Sequence, residues 1–301
     1  MDPHAADRSR AWILGFGVVL FWGLSFAATR RAVGEIPPAT LAFLRFAIGL
    51  LVLWPLVRPR WWRSGATRRD HRDLFLAGLF GVTLAFLLEN EGLARTTASH
   101  ASLIVATAPL ATALTEALLA RRLPSRSTLL GFLLALGGVA LVVGGDRGGE
   151  ATLAGDVIML STVFTWVIYG FAVQRVARRH PVGWVTTLAV FWGTVLLLPP
   201  ALVEVARTGW TSPSTSAWGA VLFLGVLCSG LAYLWWNRAL QVLGVTTTNS
   251  LIYAIPLVAV AGGVVFLGEP LGWELVVGAV LVISGLALAH VRPRLRQKPL
   301  P

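Results

Sequence analysis

The sequence predicts an all-α integral membrane protein: ten transmembrane helices arranged as two inverted five-helix repeats. Composition is the first observation behind this. Of 301 residues, 56% are hydrophobic and 13% charged, with a mean hydropathy of +0.73, whereas a soluble domain carries about a quarter charged residues. The second is a series of ten apolar stretches near the length of about 20 residues that a bilayer core requires. The third is internal repetition. A shift of 147 lays Asn90–Val143 on Asn237–His290, placing Asn90 on Asn237, Leu93 on Leu240, Pro109 on Pro256, Gly131 on Gly278 and Gly138 on Gly285. Earlier in each half the shift is 144: Trp22 falls on Trp166, Pro37 on Pro181, Gly49 on Gly193, Pro55 on Pro199 and Gly81 on Gly225. A three-residue insertion near the end of the eighth stretch reconciles the two shifts. Backbone geometry dictates glycine and proline placement most strongly, so their recurrence marks a duplicated fold of the kind seen in repeat-built transporters.

The stretches run Ala11–Thr29, Pro38–Leu56, Leu74–Leu88, Ala98–Ala120 and Thr128–Val143, then Leu153–Val173, Val182–Val203, Ala217–Trp236, Thr248–Leu267 and Leu271–His290. They define one repeat over residues 11–144 and a second over 153–290, divided by the Gly145–Thr152 loop. Ala11–Thr29 is too long for a signal-peptide core and reads as a retained helix. Trp12, Trp54, Trp61, Trp62, Trp184, Trp210, Trp218 and Trp273 stand at helix ends, as an interfacial aromatic belt requires. The pairs Gly131/Gly138 and Gly278/Gly285 predict close helix contacts.

The 25 Lys and Arg against 14 Asp and Glu give a net charge of +11. The arginines lie in short loops rather than along one polar face, which argues against a nucleic-acid partner. Arg30, Arg31, Arg95, Arg147 and Arg207 fall on the side of the membrane opposite the N-terminus, Arg45 falls within a helix, and the other basic residues fall on the N-terminal side. The positive-inside rule therefore predicts cytoplasmic termini in a bacterial-type inner membrane. Five helices per half make the second half enter upside down, which places a binding site near the midplane between the halves. Cys228 is the single cysteine, so no intrachain disulfide is expected. No Cys/His cluster suggests a metal, no glycine-rich loop suggests a nucleotide, and no cofactor is expected.

With these features the chain resembles the drug/metabolite transporter superfamily, in its EamA-type ten-helix branch. The resemblance covers nearly the whole chain and rests on the paired halves and the block closing each one. That block runs from the small-residue cluster TASHAS or TTTNS, through Pro109 or Pro256, to a polar turn and a Gly-x6-Gly helix. The family's acidic turn stands intact as FLGEPL, with Glu269 and Pro270; in the first half Arg122 occupies the acidic position. The resemblance implies export or exchange of amino acids, other metabolites, cationic drugs or nucleotide sugars. The context FTWVIYG around Trp166 is similar to that of bacterial amino-acid exporters, the aromatic amino-acid exporter among them.

Polar and aromatic residues inside the helices supply the candidate site. Trp22 and Trp166, repeat-related and deep in the first and sixth helices, either line a cavity and stack on an aromatic or cationic substrate or fill the bundle core. Ser25, Phe26 and Tyr169 stand one turn away and share that wall or simply pack. Tyr253 needs a partner for its hydroxyl. Pro109 and Pro256 free carbonyls one turn earlier, to coordinate a substrate ammonium or to kink the helix. Ser99, His100, Ser102, Thr246, Asn249 and Ser250 open the fourth and ninth helices, where helix dipoles favour a carboxylate or residues simply cap; a helix-end histidine commonly meets water or headgroups. Asn90 and Asn237 gate or cap, and Glu89 and Glu91 flank the first of them. Glu116 carries a coupling proton or neutralises Arg121 or Arg122. Arg45 binds a carboxylate or pairs with an acid.

The expectation is a secondary active or facilitative transporter moving a small-molecule substrate, an amino acid first, across the lipid bilayer by alternating access around a central cavity. A lipophilic-cation exporter is the alternative. A membrane enzyme or scaffold is the third, disfavoured by the scatter of intramembrane His, Asp and Glu. A monomer is compatible with the paired repeats.

Overall fold

The computed structural model describes residues 3–56, 65–119, 121, 123, 125–145, 152–210, 212–243, 248 and 251–290. Apolar helices follow one another along it: α1 (Pro3–Val33), α2 (Pro38–Leu53), α3 (Arg68–Leu93), α4 (Ala98–Leu119) and α5 (Arg126–Gly145) in the first half. The second half holds α6 (Leu153–Ala177), α7 (Val182–Thr208), α8 (Thr215–Leu243), α9 (Ile255–Leu267) and α10 (Trp273–His290). Six are long and apolar enough to cross a membrane, and α2, α5, α9 and α10 carry shorter apolar segments. No strand occurs among the described residues. Below, the side on which α1 begins is the near side and the opposite one the far side.

Helix ends depart from the apolar stretches wherever a cap lies in polar sequence. α3 starts at Arg68 instead of Leu74, because the Thr67 hydroxyl takes the Asp70 N–H and the Asp70 carboxylate takes the Thr67 N–H. This reciprocal cap satisfies two backbone donors. α2 stops at Leu53 and gives way to a 3₁₀ turn over Trp54–Leu56, at Pro55. α7 runs continuously through Pro199 and Pro200.

The three-residue insertion takes the form of a wide turn inside a helix. α3 contains a π-type segment at Leu79–Leu84 and α8 one at Phe223–Leu231. The shift of 144 lays Leu79 on Phe223, and the shift of 147 resumes with Ala85 on Ala232. With six residues in one segment and nine in the other, the extra residues are Ser229, Gly230 and Leu231. Such π segments insert residues without breaking a helix.

The repeat-related prolines each follow an interruption. In α4 the break lies before Ala108, where the Thr107 N–H and hydroxyl both donate to the Ile104 carbonyl at 3.1 and 2.7 Å. α9 begins after a 3₁₀ turn over Leu251–Ala254, with Pro256 in its first turn, where its missing N–H costs no hydrogen bond. Gly268 ends α9 at φ 70°, a left-handed position that only glycine takes without strain, and the chain turns so that Glu269 reaches back to α4.

The largest buried cluster joins the halves, packing Phe46, Leu74, Val82 and Phe86 of α2 and α3 against Tyr169, Trp184, Val190 and Tyr233 of α6, α7 and α8. At the edge of the bundle α5 crosses α10 at backbone contact: a Cβ on Gly138 would lie 2.6 Å from the Gly278 carbonyl oxygen. Leu130, Leu133, Val276 and Val280 are exposed on these two helices, the apolar surface that lipid covers.

Candidate functional site

Aromatic side chains from both halves meet inside the bundle. The Trp22 and Trp166 rings stand edge to face, with centroids 5.4 Å apart, and Trp22 also contacts Tyr233 at 5.8 Å and Trp236 at 5.1 Å. Trp166 lies 5.0 Å from Tyr169. The Trp22 indole N–H donates to the Cys228 carbonyl at 3.2 Å, and the Tyr233 hydroxyl to the Gly81 carbonyl at 2.9 Å. Each of these bonds ties a ring of one half, or of its partner, across to the other half's helix, and each accepting carbonyl lies in a π segment.

A small inner chamber of about 70 Å³ lies among these rings. Trp22, Ser25, Phe26, Phe86, Trp166 and Tyr233 line it, together with Arg45 and Glu89. Arg45 is 1% exposed. Its Nε donates to Ser229 Oγ at 3.1 Å and its Nη1 to Thr29 Oγ1 at 3.4 Å. Nη1 also stands 3.7 Å from the Glu89 carboxylate, and the guanidinium lies over the Phe86 ring at 4.5 Å. Ser229 belongs to the three-residue insertion, so the inserted turn supplies the anchor of this arginine. Glu89 is the more open partner, with 15% of its side chain exposed. A buried cation and carboxylate facing an aromatic wall present the two charges a zwitterion requires beside a surface for an apolar group.

A larger vestibule of about 430 Å³ shares Trp166 with the inner chamber. It runs from Trp166, midway along α6, and Trp236, in the last third of α8, to Arg178 and Gln241 at their near-side ends, with Gln174, Asn237 and Glu116 on its walls. Its size falls in the ordinary range for small-molecule sites, about 300–1,000 Å³.

On the far side carboxylates join the halves at helix starts. Glu269 accepts from the Ala98 and Ser99 N–H groups at 2.7 and 3.1 Å and from the Ser99 hydroxyl at 2.5 Å. Glu204 accepts from the Ala39 and Thr40 N–H groups at 3.2 and 2.7 Å, and Glu35 from the Ser214 N–H and hydroxyl at 2.7 and 2.9 Å. α4, α2 and α8 each begin under a negative charge from the opposite half, the favourable sign for a helix N-terminus. Asp156 adds a fourth link, accepting from the Thr96 hydroxyl at 2.6 Å with His100 Nδ1 3.4 Å away. Arg30 donates to the Leu93 and Ala94 carbonyls at 2.9 and 3.1 Å. The Ser214 backbone N–H, its hydroxyl and Arg31 hold the Glu35 carboxyl below its ordinary pKa.

Several sequence-selected residues converge and others do not. Trp22, Ser25, Phe26, Trp166, Arg45 and Glu89 share the inner chamber, and Tyr169, Asn237 and Glu116 the vestibule. Glu116 is exposed there, where the burial that would set it up as a proton carrier is missing. Ser25 donates to the Trp22 carbonyl at 2.7 Å. Asn237 donates to Thr186 Oγ1 at 2.7 Å and stands 3.4 Å from the Tyr169 hydroxyl. Its repeat mate Asn90 lies away from both chambers; it is buried and donates to the Pro38 carbonyl at 2.9 Å. Ser102 is buried and donates to the Ser99 carbonyl. His100 is buried beside Asp156 rather than meeting water, because the second half covers the start of α4. Asn249 and the Tyr253 side chain lie outside the described residues, as do Thr246 and Ser250.

Phe86, Tyr233 and Trp236 are wall residues that the sequence reading passed over. Tyr233, Trp236 and Asn237 are spaced three and four apart on α8, and that helical spacing was the available signal. Among the described residues no group of three His, Cys, Asp or Glu is placed to hold a metal ion.

Comparison with known proteins agrees with this architecture. An uncharacterized transporter of Archaeoglobus fulgidus is 28% identical over 95% of this chain and 99% of its own. The uncharacterized transporter YyaM of Bacillus subtilis is 26% identical over 92% of each chain. A probable terminal-alkyne amino-acid exporter of Streptantibioticus cattleyicolor is 28% identical over 93% of each. A protein of known crystal structure shares the fold, with a TM-score of 0.67 at 23% identity over 94% of this chain and 97% of that one. The sequence matches the EamA-like transporter family over residues 9–144 and again over 153–290. These matches and the paired bundles of apolar helices lead to one assignment: the chain is an integral membrane protein belonging to the EamA-like transporter family.

Proposed function

We propose that the protein exports small zwitterionic metabolites, amino acids and aromatic ones first among them, by alternating access around the two chambers. The observation that carries this reading is the inner chamber, where Arg45 and Glu89 stand beside the rings of Trp22, Phe86, Trp166 and Tyr233. Arg45 meets the substrate carboxylate, Glu89 meets its ammonium, and the aromatic wall takes the side chain. Arg45 also counts against a lipophilic-cation substrate, since a buried guanidinium repels a second cation. That one relative is named as a probable amino-acid exporter supports the choice.

The inner chamber, at about 70 Å³, has room for only a few waters, each needing roughly 10–15 Å³ of such volume. Substrate therefore loads first in the vestibule, against Trp166, and the shared wall then parts. The halves rock, the far-side carboxylate links release, and substrate leaves. The arginine distribution supports a cytoplasmic near side, with both termini there, in a bacterial-type inner membrane; on this reading the vestibule is the loading side.

The test is uptake of labelled aromatic and aliphatic amino acids into proteoliposomes, with and without an imposed proton gradient. Saturable uptake of aromatic amino acids that falls about five- to thirtyfold in Trp166→Ala protein is expected, since the lost stacking contributes about 1 to 2 kcal/mol. Movement of a lipophilic cation with no amino-acid uptake would replace this substrate class with cationic drugs.

A further inference from the structure

A second cleft, separate from both chambers, lies where α3 begins and α6 ends. It encloses about 590 Å³, and its lining is Arg69, Arg72, Arg175, Arg178 and Arg179 with Asp73. All five arginines are exposed. Arg72 faces Asp73 at 3.3 Å, and Arg179 is bound to the buried Asp70 at 2.7 Å. No acid is paired with Arg69, Arg175 or Arg178 among the described residues. Three guanidinium charges thus converge without offset on one concave surface.

The positive-inside rule accounts for arginines on this side but not for their convergence. α3 belongs to the first half and α6 to the second, so the fold itself assembles the cluster. Like charges at close range repel, and an anion relieves the repulsion. Guanidinium groups match phosphate oxygens in paired hydrogen bonds. The cleft also stands where one apolar helix begins and another ends, and the ends of membrane-spanning helices are where lipid headgroups lie.

We propose that this cleft binds a phosphate-bearing anion, either an anionic phospholipid headgroup or a soluble phosphate. Arg178 lines both this cleft and the vestibule, so an occupant borders the near-side entrance.

The test uses the detergent-purified full chain, titrated with phosphatidylglycerol, phosphatidylcholine or inorganic phosphate at matched ionic strength while Tm is read. A saturable rise in Tm with phosphatidylglycerol, and none with phosphatidylcholine, identifies a lipid headgroup. The same rise with inorganic phosphate alone identifies a soluble phosphate. Either response should weaken about fivefold per arginine removed in R69Q/R175Q, and the single variants R69Q and R175Q report if the double variant does not fold. R8Q/R10Q removes two exposed near-side charges outside the cleft and should respond as the unaltered chain does. The proposal is overturned if no phosphate-bearing anion raises Tm saturably, if R69Q/R175Q responds unchanged, or if R8Q/R10Q loses the response equally. None of these outcomes bears on amino-acid transport.

Discussion

Arg45 is buried and holds several polar partners, and they divide the work unevenly. Ser229, Thr29 and the Phe86 face hold the guanidinium whether or not Glu89 is charged, whereas Arg45 is the basic partner of the Glu89 carboxylate. Removing the arginine therefore leaves a carboxylate in an aromatic pocket without its cation. Arg45→Ala should destabilise the protein by about 3–5 kcal/mol, the usual result of stranding one member of a buried pair. Glu89→Gln should cost about 1 kcal/mol, because the remaining arginine keeps its hydroxyl and ring contacts. Thermal melting of both variants and of the double variant in detergent checks this. Equal losses from the two single changes would mean that Glu89 depends on Arg45 no more than Arg45 depends on Glu89. The sequence singled out both residues but not their pairing, since a charge inside a helix does not reveal which distant acid meets it. His100 shows the same boundary: its helix-start position was readable, while Asp156 comes from the other half and only the assembled fold brings it near.

At the scale of the helix, small residues decide how closely elements approach, and neighbouring glycines on α5 show how local that decision is. A Cβ on Gly138 would lie 2.6 Å from the Gly278 carbonyl oxygen, while one on Gly137 meets nothing within 4 Å. Gly138→Ala should push α5 from α10 and cost about 1–3 kcal/mol, the usual penalty of overpacking. Gly137→Ala should be neutral or stabilising by up to about 1 kcal/mol, since alanine favours the helix. Melting both variants separates the effects, and equal behaviour would refute the contact. Glycine spacing made a close helix contact readable beforehand, because backbone contact tolerates so few residue types, but not that α5 and α10 are the helices that make it. The insertion was equally readable as a count of three residues. Its form was not: a loop, a bulge and a π turn all absorb three residues, and the choice depends on packing against α2, where Gly49 lies against Ser229.

Across the whole molecule, charge breaks the symmetry that the repeat would otherwise impose. Glu35, Glu204 and Glu269 each bind a helix start on the far side. By sequence their repeat-equivalent positions are Arg179, Arg60 and Arg122, under shifts of 144, 144 and 147, the last two outside the described residues. A cation cannot accept hydrogen bonds from the N–H groups of a helix start, and the dipole there opposes it. The far-side carboxylate caps are thus not repeated at these positions, and on the near side Arg179 instead pairs with the buried Asp70 across the halves. Under the proposed alternating-access mechanism, the far-side carboxylate links favour far-side closure, with the vestibule as the accessible chamber. Weakening a far-side link should shift that equilibrium in a definite direction. Glu35 supplies the pH form of the argument: its folded pKa is lowered, chiefly by the Ser214 N–H, so its contribution is present above the unfolded value of about 4.3 and is lost as pH falls through the folded one. The stability difference between the unaltered chain and Glu35→Gln should shrink as pH is lowered through that window. Glu269 supplies the conformational form. With Cys228 replaced by serine and Ser25 in the inner chamber replaced by cysteine, a membrane-impermeant maleimide applied from the far side should react slowly. Adding Glu269→Gln removes the charge from hydrogen bonds worth about 1.5–3 kcal/mol each when ionic, and labelling should quicken about tenfold, while labelling from the near side slows or stays level. Faster labelling from both sides would indicate loosening of the fold instead of a shift between its two closures, and unchanged far-side labelling would show that the carboxylates do not hold that side shut.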